Sequence, residues 1–372
     1  MLIGLPKEIK NHEYRVGLTP VSVRELVTNG HSVLVQTTAG EGIGESDKAY
    51  TDAGAKIASS AEEVFKQADM IVKVKEPQPN ECKMLRPDQL LFTYLHLAPD
   101  PQQTDLLINS GAIAIAYETV TDDDGGLPLL APMSEVAGRM SIQAGAMCLE
   151  KSRGGSGKLL GGVPGVAPAN VLVIGGGVVG TNAIQMAVGM QANVTVLDRS
   201  IERLRELDAQ FGGKISTVYS SKAALEKHVS ESDLIIGAVL IPGAAAPKLV
   251  TRDMLKTMRQ GSVLVDVAID QGGCFETSKA TTHEDPTYIV DGIVHYCVAN
   301  MPGAVASTSA HALNHATLPF TLALANKGYR DACLADRHLL EGLNVHKGTL
   351  TNAPVGEALN MSFKEPAEVL KA

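Results

Sequence analysis

A short glycine motif near the middle of the chain constrains its fold more than any other feature. Residues 171–174 are apolar and mostly β-branched, which predicts a buried strand. Gly175, Gly177 and Gly180 follow in the spacing G-x-G-x-x-G. The first glycine permits a tight turn, the second lets a pyrophosphate approach the backbone, and the third lets a helix pack closely on the strand. We expect that helix to begin near Val178, so that its N-terminal end faces the phosphates.

A second strand over residues 193–197 supports this interpretation. It ends at Asp198, which stands 18 residues after Gly180. A carboxylate at this position can accept hydrogen bonds from the ribose hydroxyls of NAD, and it repels a 2′-phosphate. We therefore predict an NAD site from this order of features: a strand, a glycine turn, a helix, a second strand and an acid at its end. A tight turn that binds nothing remains the alternative.

Length and charge narrow the class of protein. A chain of 372 residues is too long for one core and suggests two domains. A net charge of −9 argues against a nucleic-acid partner. The longest apolar run, residues 234–247, is broken by glycine and proline, so we expect no membrane span. The chain has five widely spaced cysteines and no C-x-x-C pair, which indicates reduced thiols, a cytoplasmic protein and no metal.

The order of strand and helix patterns predicts an α/β fold of two doubly wound, Rossmann-like domains. The first 120 residues or so alternate strand and helix patterns, which is typical of a largely parallel sheet. The acidic, glycine-containing residues 121–126 mark a domain boundary. The segment after Pro302 is helical, follows without a linker and is too short to form a domain. We therefore predict an NAD-binding domain, residues 129–306, inserted into a discontinuous catalytic domain, residues 1–128 and 307–372.

Two candidate residues follow predicted strands of the first domain. In parallel α/β sheets, ligands bind beyond the carboxyl ends of the strands. Lys75 follows the strand over residues 70–74, and His96 ends the strand that begins at residue 89. Lys75 could instead be a solvated charge at the end of a strand. His96 could be a core histidine bonded to the backbone.

Two more candidates have the same placement. Asp270 follows the strand over residues 263–269, and Arg15 lies in a polar loop after the first strand. Asp270 could simply cap a turn, and Arg15 could pair with Glu13 or Glu8. Taken with Lys75 and His96, however, they form a working set. Arginine and lysine can bind a small carboxylate, histidine can move a proton at neutral pH, and aspartate can orient water or ammonium. This set is suited to hydride transfer on a small 2-oxo or 2-amino acid.

The chain resembles the alanine dehydrogenase/transhydrogenase alpha-subunit family, and the resemblance spans essentially its whole length. The matching motifs are residues 15–20, 73–77, 134–140, 162–166, 175–180, 270–274 and 295–303. The resemblance implies reversible conversion of L-alanine, NAD⁺ and water to pyruvate, ammonium and NADH, in a homohexamer. It implies that Arg15 and Lys75 bind the substrate and that His96 and Asp270 are catalytic.

The same resemblance implies a set of NAD-binding residues in the inserted domain. They are Ser134, Val178, Val179, Asp198, Arg203, Ser220, Val239, Leu240, Val267, Ala268, Ile269, Asp270, Lys279, Val298, Ala299, Asn300 and Met301. Some relatives hold a metal on a glutamate and a histidine in the helix after Pro302, where this chain has Ala323 and Lys327. We therefore expect no metal.

Two other functions remain open from the sequence. One is a related dehydrogenase of a larger amino acid, of the saccharopine type, which differs in pocket volume. The other is a catalytically silent NAD-binding sensor, which would be expected to lack Lys75, His96 or Asp270. All three residues are present.

Overall fold

The computed structural model describes residues 1–239 and 246–371, which form two compact units. The first unit combines Met1–Met133 with Gly303–Ala372, and the second is Ser134–Pro302. Each has strands and helices in alternation. No helix within the described ranges is both long and apolar enough to cross a lipid bilayer.

The N-terminal part of the first unit alternates strands and helices. Its strands are β1 (Leu2–Leu5), β2 (Ser32–Gln36), β3 (Lys56–Ala58), β4 (Met70–Val72), β5 (Leu90–Thr93) and β6 (Ile113–Ala116). Its helices are α1 (Pro20–Thr28), α2 (Asp47–Asp52), α3 (Ala61–Gln67), α4 (Pro79–Cys82) and α5 (Pro101–Ser110). The sequence specifies several of these starts, because hydroxyl or carboxylate side chains at Thr19, Ser46, Ser60 and Asp100 accept the first backbone N–H groups.

The second unit begins within a long helix that starts three residues before its boundary. This helix is α6 (Ala131–Cys148). The remaining helices are α7 (Val178–Gly189), α8 (Ile201–Phe211), α9 (Lys222–Glu231) and α10 (Arg252–Leu255). The strands are β7 (Asn170–Ile174), β8 (Asn193–Asp198), β9 (Ile215–Tyr219), β10 (Leu234–Gly237), β11 (Val263–Asp266), β12 (Thr287–Val290) and β13 (Ile293–Tyr296).

The C-terminal segment returns to the first unit. It contains α11 (Ala306–Lys327), α12 (Tyr329–Ala335), α13 (Arg337–Glu341), β14 (Leu343–His346), β15 (Thr349–Leu350), α14 (Ala353–Leu359) and α15 (Pro366–Lys371). The segment is largely helical, as predicted, but it also adds two strands that the sequence pattern did not reveal. Strand β14 pairs antiparallel with β6, so the tail extends the sheet formed by the N-terminal residues.

Both sheets have the strand order of a doubly wound fold. The described strands of the first unit are ordered β15-β14-β6-β5-β4-β1-β2-β3, and those of the second β12-β13-β11-β10-β7-β8-β9. In each, the winding reverses beside the first strand, between β1 and β4 and between β7 and β10. Ligands bind at such switch points in open α/β sheets. The predicted fold class is confirmed.

Strand β7 is buried on both faces, as its apolar run predicted. Val171 and Val173 belong to one hydrophobic cluster of the second unit, and Leu172 and Ile174 belong to another. Helices therefore cover the sheet on both sides, and the carboxyl ends of the strands are left to form a site.

Candidate functional site

The glycine turn of the second unit leaves room where a pyrophosphate would approach. Gly175 has φ +99°, and a Cβ there would lie 2.7 Å from the carbonyl oxygen of Ala238. A Cβ at Gly180 would lie only 1.8 Å from the carbonyl oxygen of Gly175. A Cβ at Gly177, by contrast, would meet no described atom within 4 Å. Packing therefore requires two of the glycines, while the third faces open space at the start of α7.

The start of α7 is suited to an anion. Gly177 is its N-cap, and no side chain in the described part of the chain caps it. Its first N–H groups therefore lack side-chain acceptors, and helix N-termini of this kind bind phosphate. Gly138 of α6 brings that helix close, since a Cβ there would lie 2.2 Å from the carbonyl oxygen of Val179.

Asp198 closes β8 beside this turn. Its Oδ2 accepts the N–H of Gly176 at 2.7 Å, and its Oδ1 accepts the N–H of Ser200 at 2.8 Å. Each carboxylate oxygen has a second lone pair that can accept a ribose hydroxyl. Arg203 holds the turn from the other side, donating from Nε to the Gly176 carbonyl at 2.7 Å. The residues present thus fit NAD, with Asp198 oriented by the turn itself.

Asp270 lies on a turn organised by a buried acid. The turn Val267–Gln271 follows β11, and Asp270 is exposed on it. The carboxylate of Asp266 accepts the N–H groups of Ala268 at 3.1 Å and Cys274 at 2.9 Å, together with the Ser278 hydroxyl. Burial raises the pKa of Asp266, although these donors oppose the shift.

Several of the other predicted NAD-binding residues of the second unit also follow strand ends, whereas Ser134 lies in α6 and Lys279 in the segment before β12. Ser220 donates its N–H to the Asp198 carbonyl at 2.9 Å, and Val239 follows β10. Lys279 is exposed, and its N–H donates to the Tyr288 hydroxyl at 2.7 Å. The last group follows β13: Val298 and Met301 are buried, and Ala299 and Asn300 are half-buried. Leu240 lies outside the described residues.

In the first unit, Arg15 is buried against an acid. Its Nε and Nη2 donate to Glu13 at 2.7 and 2.5 Å, and its Nη1 contacts the sulfur of Met133 at 3.0 Å. Burial alone would lower the pKa of Arg15, but Glu13 raises it above its ordinary value. Pairing with Glu13, one of the two alternatives considered from the sequence, is therefore present. Arg15 is a fixed charge rather than a mobile surface side chain.

The two lysines that follow β4 have different surroundings. Lys73 is fully buried and forms ion pairs with Glu8 at 3.0 Å and Glu81 at 2.8 Å. Lys75 is half-buried, and its carbonyl accepts the Thr93 hydroxyl at 3.0 Å. Burial alone would raise the pKa of the neighbouring Glu76, but the charges of Lys75 and Lys10 lower it. Of the two lysines, Lys73 is the one that is fully buried, whereas Lys75 is only half-buried.

His96 extends beyond β5 in an unusual conformation. Its φ is +50°, and its ring stacks on that of Tyr94 with centroids 5.7 Å apart and planes 8° apart. The Tyr94 hydroxyl donates to the Leu129 carbonyl at 2.5 Å, and burial raises the pKa of Tyr94. The side chain of His96 is 42% exposed, so one face packs on tyrosine while the ring stays accessible. This exposure is not that of a core histidine, which was the alternative considered from the sequence.

Sequence reasoning missed Glu118, which lies beside His96. Its Oε1 accepts the N–H of His96 at 2.6 Å and that of Leu95 at 3.1 Å. Glu118 is two residues beyond the end of β6, so a search of all strand ends for carboxylates would have found it.

Comparisons with known proteins assign the chain to a family. The model of the alanine dehydrogenase/PNT N-terminal domain matches residues 4–137, and that of the C-terminal domain matches residues 141–353. The alanine dehydrogenase of Halomonas elongata is 62% identical over 100% of both chains, and that of Mycolicibacterium smegmatis is 54% identical over 100% of both. The chain belongs to the alanine dehydrogenase/PNT family. The resemblance found in the sequence is confirmed.

Two solved structures have the same fold as this chain. A structure of an L-alanine dehydrogenase is 52% identical, has a TM-score of 0.94 and covers 97% of this chain and 99% of its own. A transhydrogenase structure from Sinorhizobium meliloti has a TM-score of 0.81 and 24% identity, and covers 95% of this chain and 99% of its own. At that identity it supports the fold alone.

Helix α11 carries two histidines that lie close together. His311 and His315 are one helical turn apart, and His311 Nδ1 donates to the Ser307 carbonyl at 2.8 Å. Within residues 1–239 and 246–371, no group of three or more histidine, cysteine, aspartate or glutamate side chains is placed to hold a metal. A pair supplies fewer ligands than the three of catalytic or four of structural zinc sites.

Proposed function

We propose that this protein is an NAD-dependent L-alanine dehydrogenase, which converts L-alanine and water reversibly to pyruvate and ammonium. The observation that carries the proposal is the 62% identity to an alanine dehydrogenase over the full length of both chains. Two further features support the proposal. They are the glycine turn of the second unit, whose surroundings fit NAD, and the charged residues Arg15 and Lys75 of the first unit.

The coenzyme, when bound, accepts the hydride from Cα of neutral alanine in the deaminating direction. The proposal assigns Arg15 to the substrate carboxylate, because a guanidinium locked by Glu13 presents its charge in one orientation. Lys75 is assigned to the carbonyl oxygen, whose developing negative charge an ammonium stabilises. Fixing the carboxylate sets the distance and angle of hydride transfer.

Proton transfer is assigned to His96 and water activation to Asp270. Loss of hydride leaves an iminium on the substrate, and a water oriented by Asp270 adds to it to form a carbinolamine. His96 takes and returns protons as the carbinolamine loses ammonia and becomes pyruvate. The deamination rate is expected to rise with pH, because the substrate amine must be neutral and the histidine must be able to accept a proton.

We also propose that the enzyme is a cytoplasmic homohexamer. The five cysteines support a reducing compartment, since all are buried and unpaired. The hexamer follows from the family resemblance. Sedimentation should give a mass six times the 39.1 kDa protomer, and a monomer or dimer would contradict the proposal.

The decisive experiment is NADH oxidation with ammonium and a series of 2-oxo acids of increasing size. Glyoxylate, pyruvate, 2-oxobutyrate and 2-oxoglutarate form the series, and reactions without ammonium are the control. We expect the highest kcat/KM with pyruvate. Equal or better kcat/KM with 2-oxoglutarate would favour a dehydrogenase of larger amino acids, and no oxidation with any acid would favour a silent NAD-binding protein.

A further inference from the structure

We infer that Glu118 is the positioning residue that holds His96 in its working conformation. The inference rests on the proposed function, since it takes His96 as the proton-transfer residue. Glu118 Oε1 lies 3.8 Å from His96 Nδ1, beyond hydrogen-bond distance, so its hydrogen bond to His96 is made to the backbone and not to the ring.

The conformation of His96 needs support. Its φ of +50° lies in the left-handed region, which residues with a Cβ seldom adopt. Such residues persist where surrounding contacts hold them, and they are frequent in active sites. Here the side chain that carries the chemistry extends from the strained residue, so any relaxation of the backbone would redirect the imidazole.

The carboxylate of Glu118 supplies that support by accepting the backbone N–H groups of His96 and Leu95. Oε1 accepts the N–H of His96 at 2.6 Å, and the N–H of Leu95 is shared between Oε1 at 3.1 Å and Oε2 at 3.2 Å. Hydrogen bonds to a carboxylate are stronger than those between neutral groups. The side chain of Glu118 is 15% exposed, which limits competition from water.

The turn that carries Glu118 is itself anchored. Its first residue, Tyr117, is fully buried and donates its hydroxyl to the Lys73 carbonyl at 3.0 Å. Its last residue, Thr119, accepts a hydrogen bond from Asn344 Nδ2 at 2.7 Å. Strands β5 and β6 are parallel neighbours with Thr93 opposite Ala116, so the turn after β6 lies beside the residues after β5. The carboxylate is thus held at a defined position next to the end of β5.

The imidazole is then held from two directions. Tyr94 supports one face of the ring by stacking, and Glu118 fixes the backbone from which the ring extends. Catalysis is sensitive to such placement, since a displacement of about 1 Å can cost about 100-fold in rate. Removing Glu118 should therefore lower kcat without weakening coenzyme binding, because the coenzyme residues belong to the second unit.

The test compares three substitutions. Glu118→Gln keeps a carbonyl oxygen that can accept both amides, so we expect kcat within about 3-fold of the parent. Glu118→Ala removes the acceptor, and Glu118→Asp withdraws it by about one methylene. For both we expect kcat to fall about 10-fold or more, with an unchanged Kd for NADH. Should the alanine variant not fold, the aspartate variant carries the test. A kcat within 2-fold of the parent in both, or a Gln variant as impaired as Ala, would overturn the inference.

A matched control exists in the same unit. Thr38 also has a left-handed backbone, with φ +64°, and its N–H donates to the Asp47 carboxylate at 2.8 Å. Asp47→Ala thus removes the same kind of support from a residue that has no catalytic assignment. We expect a lower unfolding temperature and an unchanged kcat. A similar kcat loss in the Asp47 variant would mean that general destabilisation explains the effect at Glu118.

A double substitution separates this inference from the proposed function. If Glu118 acts only through His96, Glu118→Ala should lower kcat by less than 2-fold in a His96→Ala background. A full additional loss would overturn the inference. If the parent shows no alanine dehydrogenase activity, or His96→Ala retains it, the proposed function or its histidine has failed instead.

Discussion

Asp198 has a part in the fold and is also proposed to bind the coenzyme. Both of its oxygens accept backbone N–H groups, from Gly176 and Ser200, and these contacts orient the carboxylate at the end of β8. The negative charge itself is not needed for a turn. We expect the charge to act on the coenzyme instead, by repelling a 2′-phosphate.

We predict that Asp198→Asn lowers the preference for NAD over NADP, measured as the ratio of kcat/KM values, about 10-fold or more. Removing the charge relieves repulsion of the 2′-phosphate while keeping a side chain of the same shape. Glu202→Gln is the control, because Glu202 is an exposed acid in the first turn of α8. An unchanged ratio in the Asn variant would show that Asp198 does not interact with the ribose.

His295 is a second residue whose burial has a measurable consequence. It is fully buried in β13, its Nδ1 donates to the Ile293 carbonyl at 3.0 Å, and its Nε2 lies 2.7 Å from the Thr277 hydroxyl. Burial lowers the pKa of His295 below its ordinary value of 6.5. As pH falls below about 6.5, the unfolded chain binds a proton that the folded chain resists, so stability is lost toward acid.

We predict that His295→Gln flattens this dependence. Its unfolding temperature should be lower than the parent's at pH 8, because ring packing on Tyr288 is lost. Between pH 8 and pH 5.5, however, it should fall less than that of the parent, since one buried titrating group is gone. Differential scanning calorimetry at several pH values measures both effects. Parallel curves for the two proteins would exclude His295 as a contributor.

At the scale of elements, two glycines of the turn between β7 and α7 have different surroundings. Gly180 lies against the backbone of Gly175, whereas Gly177 faces open space. Substitution by alanine should therefore affect mainly stability at Gly180 and mainly coenzyme binding at Gly177.

We predict that Gly180→Ala destabilises the second unit by about 3 kcal/mol, because a Cβ there overlaps the Gly175 carbonyl. Gly177→Ala should change stability by no more than about 1 kcal/mol. It should nevertheless raise the Kd for NADH about 10-fold or more, because the methyl group occupies the path of the pyrophosphate. Denaturant unfolding and fluorescence titration test the pair. Normal NADH binding by Gly177→Ala would place the pyrophosphate elsewhere.

Long, uniformly apolar elements were predictable, and short edge strands were not. The run before Gly175 predicted β7 because its burial needs no knowledge of neighbours. Strands β3, β14 and β15 have two to four residues and lie at or near the edge of the first sheet. Such segments become strands only through pairing with a partner distant in sequence, as β14 does with β6. Local patterns do not contain that partner.

At the scale of the whole molecule, Asn314 joins the two segments of the first unit. It is buried in α11, and its Oδ1 accepts the N–H of Thr19 at 2.8 Å and the hydroxyl of Ser22 at 2.7 Å. Its Nδ2 donates to the Ala310 carbonyl at 2.8 Å. One side chain thus accepts hydrogen bonds from two residues at the start of α1, although it lies 295 residues from Thr19 in the sequence.

We predict that Asn314→Ala lowers the free energy of unfolding of the first unit by about 2–3 kcal/mol. The reason is that it leaves the buried N–H of Thr19 and the hydroxyl of Ser22 without their acceptor. His315→Ala is the control, since His315 is exposed on the same helix and should cost no more than about 0.5 kcal/mol. Equal effects of the two substitutions in denaturant unfolding would mean that Asn314 does not join the segments.

The sequence by itself determined the doubly wound plan, the coenzyme turn and the candidate residues at strand ends. These depend on local patterns: apolar runs, glycine spacing and the residue that follows each strand. Only the tertiary structure decided that Arg15 is locked by Glu13, that Lys73 and not Lys75 is buried with two acids, and that Glu118 holds His96. Each of these depends on burial or on which strands are neighbours. The free energy of burying a charge, and the partner that compensates it, depend on the surroundings in space rather than on the order of residues.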